Sequence, residues 1–462
     1  SGLDGPRPHG PVRIAGPVRE DVAMATPAPH EPAVKTWKPF RTHDGGVTQE
    51  QHHETQSSAD AVEPDREPDP GPGPTVESGL GAAPRPGAGG RRFRPGRLVV
   101  GIGSVLLAVG IIVAGAVVPV NKVIEAPGRT WNVLAGASDD DQAQDVITVT
   151  GAQTYPAGGA LRMTTVSVSG CPGYPVTFFD VVGAWLSPDK TILDREQVCP
   201  SSLTEQDVEQ VNQAQMTGSQ NTAVVAALME TGMATRMVLT IEGAESPQTD
   251  EAIRKGDVLT SITPAGGRTI PVTTYAELRE LMTTIPVGTS VDLGVERDGE
   301  PMTITLTTIA PADADSDGSP DSDGSLLGVY LSAKADSDVQ ATFGLSDVGG
   351  PSAGAMFALG IIDELTPGDL TGGKDIAGTG TIALDGAVGP IGGIAQKMAG
   401  ARADGSGYFL APASNCGEVV GHVPDGMEVY AVSTLHEAVT TVEAIAAGDT
   451  SGASTCETVL AR

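Results

Sequence analysis

The sequence predicts an α+β fold that follows a single membrane-spanning helix. Three features lead to this prediction. An uncharged apolar run of 21 residues occupies 98–118. After it, β-branched runs alternate with helical patterns. Before it, the chain is rich in Pro, Gly, His, Asp and Glu and has no sustained apolar period. The 462 residues thus leave room for two or three domains beyond the membrane segment.

The N-terminal segment, residues 1–97, is expected to be a disordered tail. It holds five of the seven histidines, including His52 and His53, but scattered histidines in such a tail do not predict a metal site. Because the chain begins at Ser1 and not at Met, Met24 is an alternative start. No metal or cofactor is predicted for the protein.

The apolar run at 98–118 would span about 30 Å as a helix, which is the thickness of a bilayer core. No convincing A-x-A cleavage site follows it. The basic residues on its N-terminal side outnumber those after it: Arg91, Arg92, Arg94 and Arg97 precede it, and Lys122 and Arg129 follow. The positive-inside rule therefore predicts a single-pass protein of the cell membrane, with a cytoplasmic N-terminus and an extracytoplasmic remainder.

The overall charge is strongly acidic. The chain has 58 Asp and Glu against 28 Lys and Arg, for a formal net charge of −30. Such a balance argues against nucleic-acid binding.

All four cysteines lie on the predicted exported side, where disulfides persist. Four cysteines allow three connectivities. Cys171 with Cys199, and Cys416 with Cys456, is favoured because each pair closes a local loop, although the sequence alone does not decide. The absence of a C-x-x-C pattern speaks against zinc.

The strongest chemical signal is the serine of GGPSAG, residues 349–354, together with a lysine 45 positions later. A serine hydroxyl becomes a good nucleophile when a base takes its proton, and a lysine in an apolar site can be that base. The apolar stretch 353–365 predicts a buried helix with Ser352 at its first turn, beside free N–H groups. Lys397 falls on the apolar stripe of a second helix. Together the two residues predict a Ser-Lys hydrolase.

Three segments carry a family resemblance: GGPSAG at 349–354, IAGTGTI at 376–382 and GAVGPIGGI at 386–394, followed by Lys397. They closely resemble the proteolytic domain of Lon proteases. The exported part as a whole resembles the membrane-anchored, PDZ-containing Lon-like serine proteases of actinobacteria. By this resemblance Ser352 is the nucleophile, Lys397 is the general base, and Thr379 orients the lysine.

The resemblance also implies a domain order. The first part of the proteolytic domain is expected at 119–235, with a strand at 158–168 and a helix at 204–230. A β-rich PDZ domain, 236–310, is inserted next and is followed by an acidic linker, 311–325. The second part of the proteolytic domain is expected at 326–446, and a C-terminal tail at 447–462.

The inserted stretch shows the PDZ order of a Gly-Asp turn at Gly256-Asp257, a helix near 275–282 and a closing hairpin. Its loop at Met233 and Ala234 departs from the GLGF form that binds peptide carboxylates. The resemblance implies that this domain helps to bind substrates by β-strand addition. The expected partners are unfolded or exported protein substrates, the membrane and a possible homo-oligomeric ring.

Two other functions remain open. GPSAG also satisfies the G-x-S-x-G elbow of α/β-hydrolases, which would make an esterase that uses Ser352 with Asp404 and His436. The chain could also be a non-catalytic PDZ scaffold on a Lon-like fold. The combination of Ser352, Thr379 and Lys397 argues against the scaffold, since a scaffold needs no lysine on an apolar face.

Two further motifs fail at a required position. GDLTGGK at 368–374 has Walker A spacing, but Asp375 replaces the required Ser or Thr, so ATP-independent activity is predicted. Asp313, Asp315 and Asp317 match the opening of an EF-hand loop, but Gly324 stands where a bidentate Glu is needed. A flexible linker is the favoured reading of that acidic stretch.

Overall fold

The computed structural model describes residues 97–134, 145–199, 204–245, 252–311, 324–345 and 348–461. Most of the predicted tail and most of the acidic stretch with the EF-hand-like aspartates lie outside these ranges. The predicted mixture of helices and strands is confirmed.

The helices in chain order are α1 (Arg97–Val117), α2 (Phe178–Trp185), α3 (Arg195–Val198), α4 (Glu205–Glu230), α5 (Tyr275–Thr284), α6 (Gly354–Leu365), α7 (Ile394–Ala403), α8 (Cys416–Val419), α9 (Leu435–Ala447) and α10 (Cys456–Leu460).

The strands in chain order are β1 (Lys122–Asn132), β2 (Ile147–Thr150), β3 (Ala160–Ser169), β4 (Thr191–Asp194), β5 (Met237–Ala244), β6 (Val258–Pro264), β7 (Ile270–Pro271), β8 (Ser290–Arg297), β9 (Glu300–Thr307), β10 (Val329–Ala335), β11 (Gln340–Phe343), β12 (Asp375–Gly378), β13 (Thr381–Ile382), β14 (Val388–Gly389), β15 (Tyr408–Pro412) and β16 (Glu428–Val432).

Helix α1 coincides almost completely with the predicted span at 98–118. Within the described ranges, none of the helices combines the length and the apolar character that a membrane crossing requires. From Ile102 onward, the large apolar side chains of α1 are at least half exposed. Membrane anchoring by this helix stays a prediction.

The main sheet has the strand order β16-β15-β12-β3-β1-β4. Its centre is parallel, because β12 runs parallel to both β3 and β15. Ile376 of β12 lies opposite Leu161 of β3, although the two are separated by the whole second sheet in sequence. The two predicted parts of the proteolytic domain therefore contribute neighbouring strands to one sheet.

Helix α6 packs in the core beside this sheet. It is apolar nearly all round, and such a helix is stable only when every face is covered. Met356, Phe357, Leu359 and Ile361 are fully buried, and they share one hydrophobic cluster with residues of α4. The burial fixes the start of α6, and with it the loop that carries Ser352.

A second sheet has the order β10-β5-β6-β8-β9, with β7 paired to β6. It has its own hydrophobic cluster, to which α5 contributes Leu278 and Met282. The β8–β9 hairpin turns at Asp298 and Gly299, both with positive φ, as a tight two-residue turn requires. The predicted order of strands, helix and hairpin is present here, while the identity of a PDZ domain and the domain boundaries stay predictions.

Strand β10 pairs with β5 in this second sheet, although the predicted boundary at residue 326 assigns it to the proteolytic part.

The favoured disulfide pairing is confirmed. Cys171 bonds to Cys199 and Cys416 to Cys456, with Cα atoms 5.7 and 4.9 Å apart. The first bond ties the segment before α2 to the end of α3, and the second ties α8 to α10. Each closes a local loop of the kind that the spacing suggests.

Candidate active site

Ser352 lies in a loop that α4 holds in place. The N–H of Gly350 donates to the carbonyl oxygen of Asn212 at 3.0 Å, and Ser219 Oγ donates to the carbonyl of Pro351 at 2.9 Å. A Cβ at Gly349 would lie 2.6 Å from the Cβ of Asn212, so the loop can approach α4 this closely only with glycine there. Two turns of α4 therefore position the serine.

The sequence prediction placed Ser352 in the first turn of the helix, and this is wrong by a small margin. Ala353 is the N-cap of α6, so Ser352 lies one residue before the cap. Its backbone is fixed there by its carbonyl oxygen, which accepts from the N–H of Gly380 at 2.8 Å. The serine thus sits at the entrance to the helix, and its side chain is partly exposed.

The amide N–H groups of Ser352 and Ala353 have no hydrogen-bond partner among the described residues. Both lie where the chain enters α6, beside the serine hydroxyl. Unpaired N–H groups at a helix start attract a negatively charged oxygen. They are the nearest candidates for stabilising an oxyanion that forms at Ser352.

Lys397 lies on α7 and is buried, with only 3% of its surface exposed. The helix begins after Gly393, whose φ of 67° is left-handed and suits glycine. Ile394, Met398 and Ala401 share the lysine's face of α7 and are buried too. The predicted placement of Lys397 on the apolar side of its helix is confirmed.

The three predicted site residues meet at one point. Lys397 Nζ donates to Ser352 Oγ at 2.7 Å and to Thr379 Oγ1 at 2.9 Å. Thr379 Oγ1 in turn donates to the backbone carbonyl of Ser352 at 2.9 Å. Thr379 directly follows β12, so the main sheet sets its position. The threonine holds both the lysine amine and the serine backbone.

Burial lowers the pKa of Lys397 to about 7. The cause is the loss of water around the ammonium group, which disfavours its charged form. The negative charge of Glu125 acts in the opposite direction and raises this pKa. A large fraction of the lysine is therefore a neutral amine near pH 7, and a neutral amine can accept the proton of a serine hydroxyl.

Glu125 is a site residue that sequence reasoning missed. It lies on β1 and is partly buried, and burial raises its pKa, with Glu418 raising it further. Its carboxylate reaches the start of α7, since a Cβ at Gly393 would lie 3.6 Å from Glu125 Oε2. The only signal in the sequence is an acidic residue inside the apolar run VIEA.

The residues of the esterase alternative are not brought to Ser352. His436 Nδ1 bonds to Glu230 Oε1 at 2.7 Å, and its side chain is largely exposed. Asp404 accepts the hydroxyl of Thr130 at 2.7 Å. Neither residue shares a hydrogen bond with Ser352 or with the other, so the arrangement of a Ser-His-Asp triad is not present.

Comparison with known proteins bears on the same residues. Residues 333–444 match the Lon protease (S16) C-terminal proteolytic domain. The matched Lon-like segment includes Ser352, Thr379 and Lys397. It covers the second predicted part of the proteolytic domain almost completely.

Three Lon proteases illustrate the similarity. Lon protease 1 of Sorangium cellulosum is 40% identical over 92 residues, which is 19% of this chain and 11% of that protein. The Lon protease of Azospirillum brasilense is 36% identical over 110 residues, which is 23% of this chain and 13% of that protein. Lon protease 2 of Bacillus subtilis is 36% identical over 106 residues, which is 22% of this chain and 18% of that protein.

The chain thus spans between 11% and 18% of the length of these relatives. The similarity supports a serine peptidase function for the Lon-like segment.

Proposed function

We propose that this protein is a membrane-anchored serine endopeptidase that hydrolyses peptide bonds without ATP. Ser352 is the nucleophile, Lys397 is the general base, and Thr379 orients the lysine. The observation that carries the proposal is the 2.7 Å contact between Lys397 Nζ, on a buried side chain, and Ser352 Oγ. An exposed lysine at the same distance would remain protonated and could not act as a base.

The first half of the reaction forms an acyl-enzyme. The neutral amine of Lys397 takes the proton of Ser352 as Oγ attacks the carbonyl carbon of the scissile bond. The electron pair of the carbonyl moves to its oxygen, which the N–H groups of Ser352 and Ala353 stabilise. When the tetrahedral intermediate collapses, the C–N bond breaks and the Lys397 ammonium gives its proton to the departing amine.

The second half releases the acid. Lys397, neutral again, takes a proton from a water molecule that attacks the ester carbonyl. Collapse of this second intermediate breaks the bond to Ser352 Oγ, which regains its proton from the lysine. Thr379 takes no proton, but it keeps the amine directed at Oγ throughout the cycle.

The hydrolysis itself requires no nucleotide in this scheme. The Walker-like stretch at 368–374 lies in the loop between α6 and β12, and Asp375 begins the strand where a Walker motif has its Ser or Thr. Addition of ATP should therefore leave the rate of peptide cleavage unchanged.

The second sheet would bind extended segments of the substrate. Strand β10 lies at its edge, paired within the described chain only with β5. Its apolar side chains Val329, Leu331 and Ala333 are half-buried against the cluster of this sheet. An unpaired edge of this kind accepts an added strand, which is how PDZ domains bind peptides.

Anchoring through α1 is supported by its exposed apolar side chains, which a bilayer would cover. The arginines before it favour a cytoplasmic N-terminus, with the catalytic part outside. A reporter fused after Arg462 should be active only if it is of a type that works outside the cytoplasm. Light scattering of the purified protein would give the size of any homo-oligomeric ring.

The deciding experiment is proteolysis of an unfolded protein by the purified full chain, with and without ATP. Ser352→Ala and Lys397→Ala should each abolish cleavage, and a fluorophosphonate probe should label the parent protein but not Ser352→Ala. Ser451→Ala, at an exposed serine far along the chain, is the matched control and should cleave normally. Full binding of the substrate without any cleavage or labelling would instead favour the scaffold.

A further inference from the structure

Exposed aromatic side chains are concentrated in one short segment of this protein. Aromatic residues make up only 3% of the chain. Tyr174, Phe178, Phe179 and Trp185 are exposed by 66, 54, 44 and 76%, and they are four of the five exposed aromatics in the described chain. Leu186 beside them is 70% exposed. These five residues form a surface that we call the aromatic patch. A concentration of exposed apolar side chains of this kind indicates an interaction site.

Helix α2 presents two different faces. The apolar residues Phe178, Phe179, Val182, Trp185 and Leu186 follow the i, i+1, i+4, i+7, i+8 spacing of a single stripe. Ala184 lies on the other side of the helix and is buried, in a small cluster with Ile124 and Val176. The helix therefore packs on the protein through Ala184 and Val181, and its aromatic side chains face outward.

The outward stripe carries no charge. Asp180 is the only ionisable side chain with a formal charge between 170 and 186, and its helical position is opposite the stripe. Its carboxylate accepts from both the N–H and the hydroxyl of Thr177, in a capping box. In a chain of net charge −30, this patch is a neutral apolar surface.

The aromatic patch is continuous with the C-terminal end of α1. The ring of Phe179 packs on Gly115, where a Cβ would lie 3.0 Å from its Cε2 atom. Pro119 forms a β-bridge with Thr177, and the N–H of Val120 donates to the carbonyl of Val176 at 2.8 Å. The apolar surface of α1 thus passes directly into that of α2.

We propose that the aromatic patch lies in the headgroup region of a lipid bilayer, at the point where α1 leaves it. This inference rests on the proposed anchoring through α1. Trp and Tyr favour this region, because their rings are apolar and each has one polar group that needs water or a headgroup. A bilayer is the occupant that would cover the end of α1 and the patch together, since both are parts of one apolar surface.

The patch would also fix the catalytic site relative to the membrane. The disulfide Cys171–Cys199 encloses α2, and β4 pairs with β1 of the main sheet. Gln396, the neighbour of Lys397, donates to the hydroxyl of Thr191 in β4 at 2.8 Å. A series of covalent and hydrogen-bonded contacts therefore runs from the patch to the helix of the dyad. The site would then meet exported chains close to the membrane surface.

The test is fluorescence quenching by brominated lipid. The full chain is reconstituted in phosphatidylcholine vesicles with Trp185 as its only tryptophan, through Trp37→Phe and Trp131→Phe. Seated about 5–10 Å into the interface, Trp185 should lose about half of its emission in brominated vesicles. The matched control keeps Trp131 instead. This residue lies at the far end of β1, about 30 Å from Lys122, and should not be quenched.

Vesicle flotation separates this inference from the anchoring itself. Flotation together with quenching of Trp185 supports both. Flotation without quenching overturns the aromatic patch and leaves the anchor, and failure to float overturns both. In Phe178→Ser with Trp185→Ser, flotation and cleavage of a short soluble peptide should stay within about two-fold of the parent, because α1 and the dyad are unchanged. A rise in KM for that peptide would instead assign the patch to substrate binding and overturn the inference.

Discussion

Replacement of the buried lysine by methionine should stabilise the fold while it abolishes catalysis. Burial lowers the pKa of Lys397 from its ordinary value of 10.5 to about 7. Because the unfolded chain keeps the ordinary value, this shift costs the folded protein about 4 kcal/mol at pH 7. Methionine has a similar length and carries no charge, so Lys397→Met removes that cost.

Part of the gain is offset by lost hydrogen bonds. Ser352 Oγ and Thr379 Oγ1 each lose the amine as a partner, at about 1 kcal/mol apiece. We therefore expect a net stabilisation of about 2 kcal/mol at pH 7, or a rise in Tm of a few degrees.

The gain should depend on pH in a defined direction. The pKa of Lys397 is lower in the folded state than in the unfolded state, so the unfolded chain binds the extra proton between pH 7 and 10.5. The stability of the parent protein rises with pH across that window, because its cost disappears as both states become neutral. The advantage of Lys397→Met should thus be largest at and below pH 7. It should vanish by pH 10, where the remaining cost of about 1 kcal/mol is smaller than the contribution of the two lost hydrogen bonds.

Urea unfolding of the full chain at pH 7 and pH 10 measures the difference. Ser352→Ala is the matched control, because it is expected to be inactive yet keeps the lysine, and so it should retain the pH dependence of the parent. A Lys397→Met protein that is less stable than the parent at pH 7 would refute the reasoning. So would a gain that is the same at both pH values.

Three further predictions concern other groups of the structure. Glu125→Gln removes a charge that raises the pKa of Lys397, so the acid limb of the kcat/KM profile should move to lower pH, and an unchanged limb would contradict this. Burial raises the pKa of Asp363 to about 6, so the free energy of unfolding of the parent should fall as the pH rises from about 4 through 6. Urea unfolding of Asp363→Asn over the same pH range should show a smaller fall. Cys416→Ala with Cys456→Ala opens a loop of 40 residues and should cost about 4 kcal/mol in urea unfolding. The reduced parent should lose more than this variant, because reduction also opens Cys171–Cys199.

The residues of the proposed dyad could be predicted from the sequence because their signals are local. Ser352 stands in a glycine-rich loop before an apolar helix, and Lys397 occurs on the apolar stripe of another. Each pattern is contained within about ten residues, and the two occur in a fixed order. Spacing also favoured the disulfide pairing that the structure shows, since the bonds close local loops of 28 and 40 residues.

The residues around the proposed dyad could not be predicted from local sequence patterns. Glu125 reaches α7 only because β1 pairs with β3 and β4 at the edge of the main sheet. The loop that carries Ser352 is positioned by contacts with α4, which is distant in sequence. One of them is the hydrogen bond from Ser219 to the carbonyl of Pro351. The aromatic patch likewise appears as a surface only when α2 is packed with Ala184 inward.

The sequence by itself determined which chemical groups the protein has and the type of element that carries each, because periodicity, glycine placement and spacing act over a few residues. Only the tertiary structure decided which groups meet. The 2.7 Å contact of Lys397 with Ser352, and the burial that lowers the pKa of the lysine, arise from packing between α6, α7 and the main sheet. Desolvation depends on everything that surrounds an atom, and those neighbours come from segments that are far apart in the sequence.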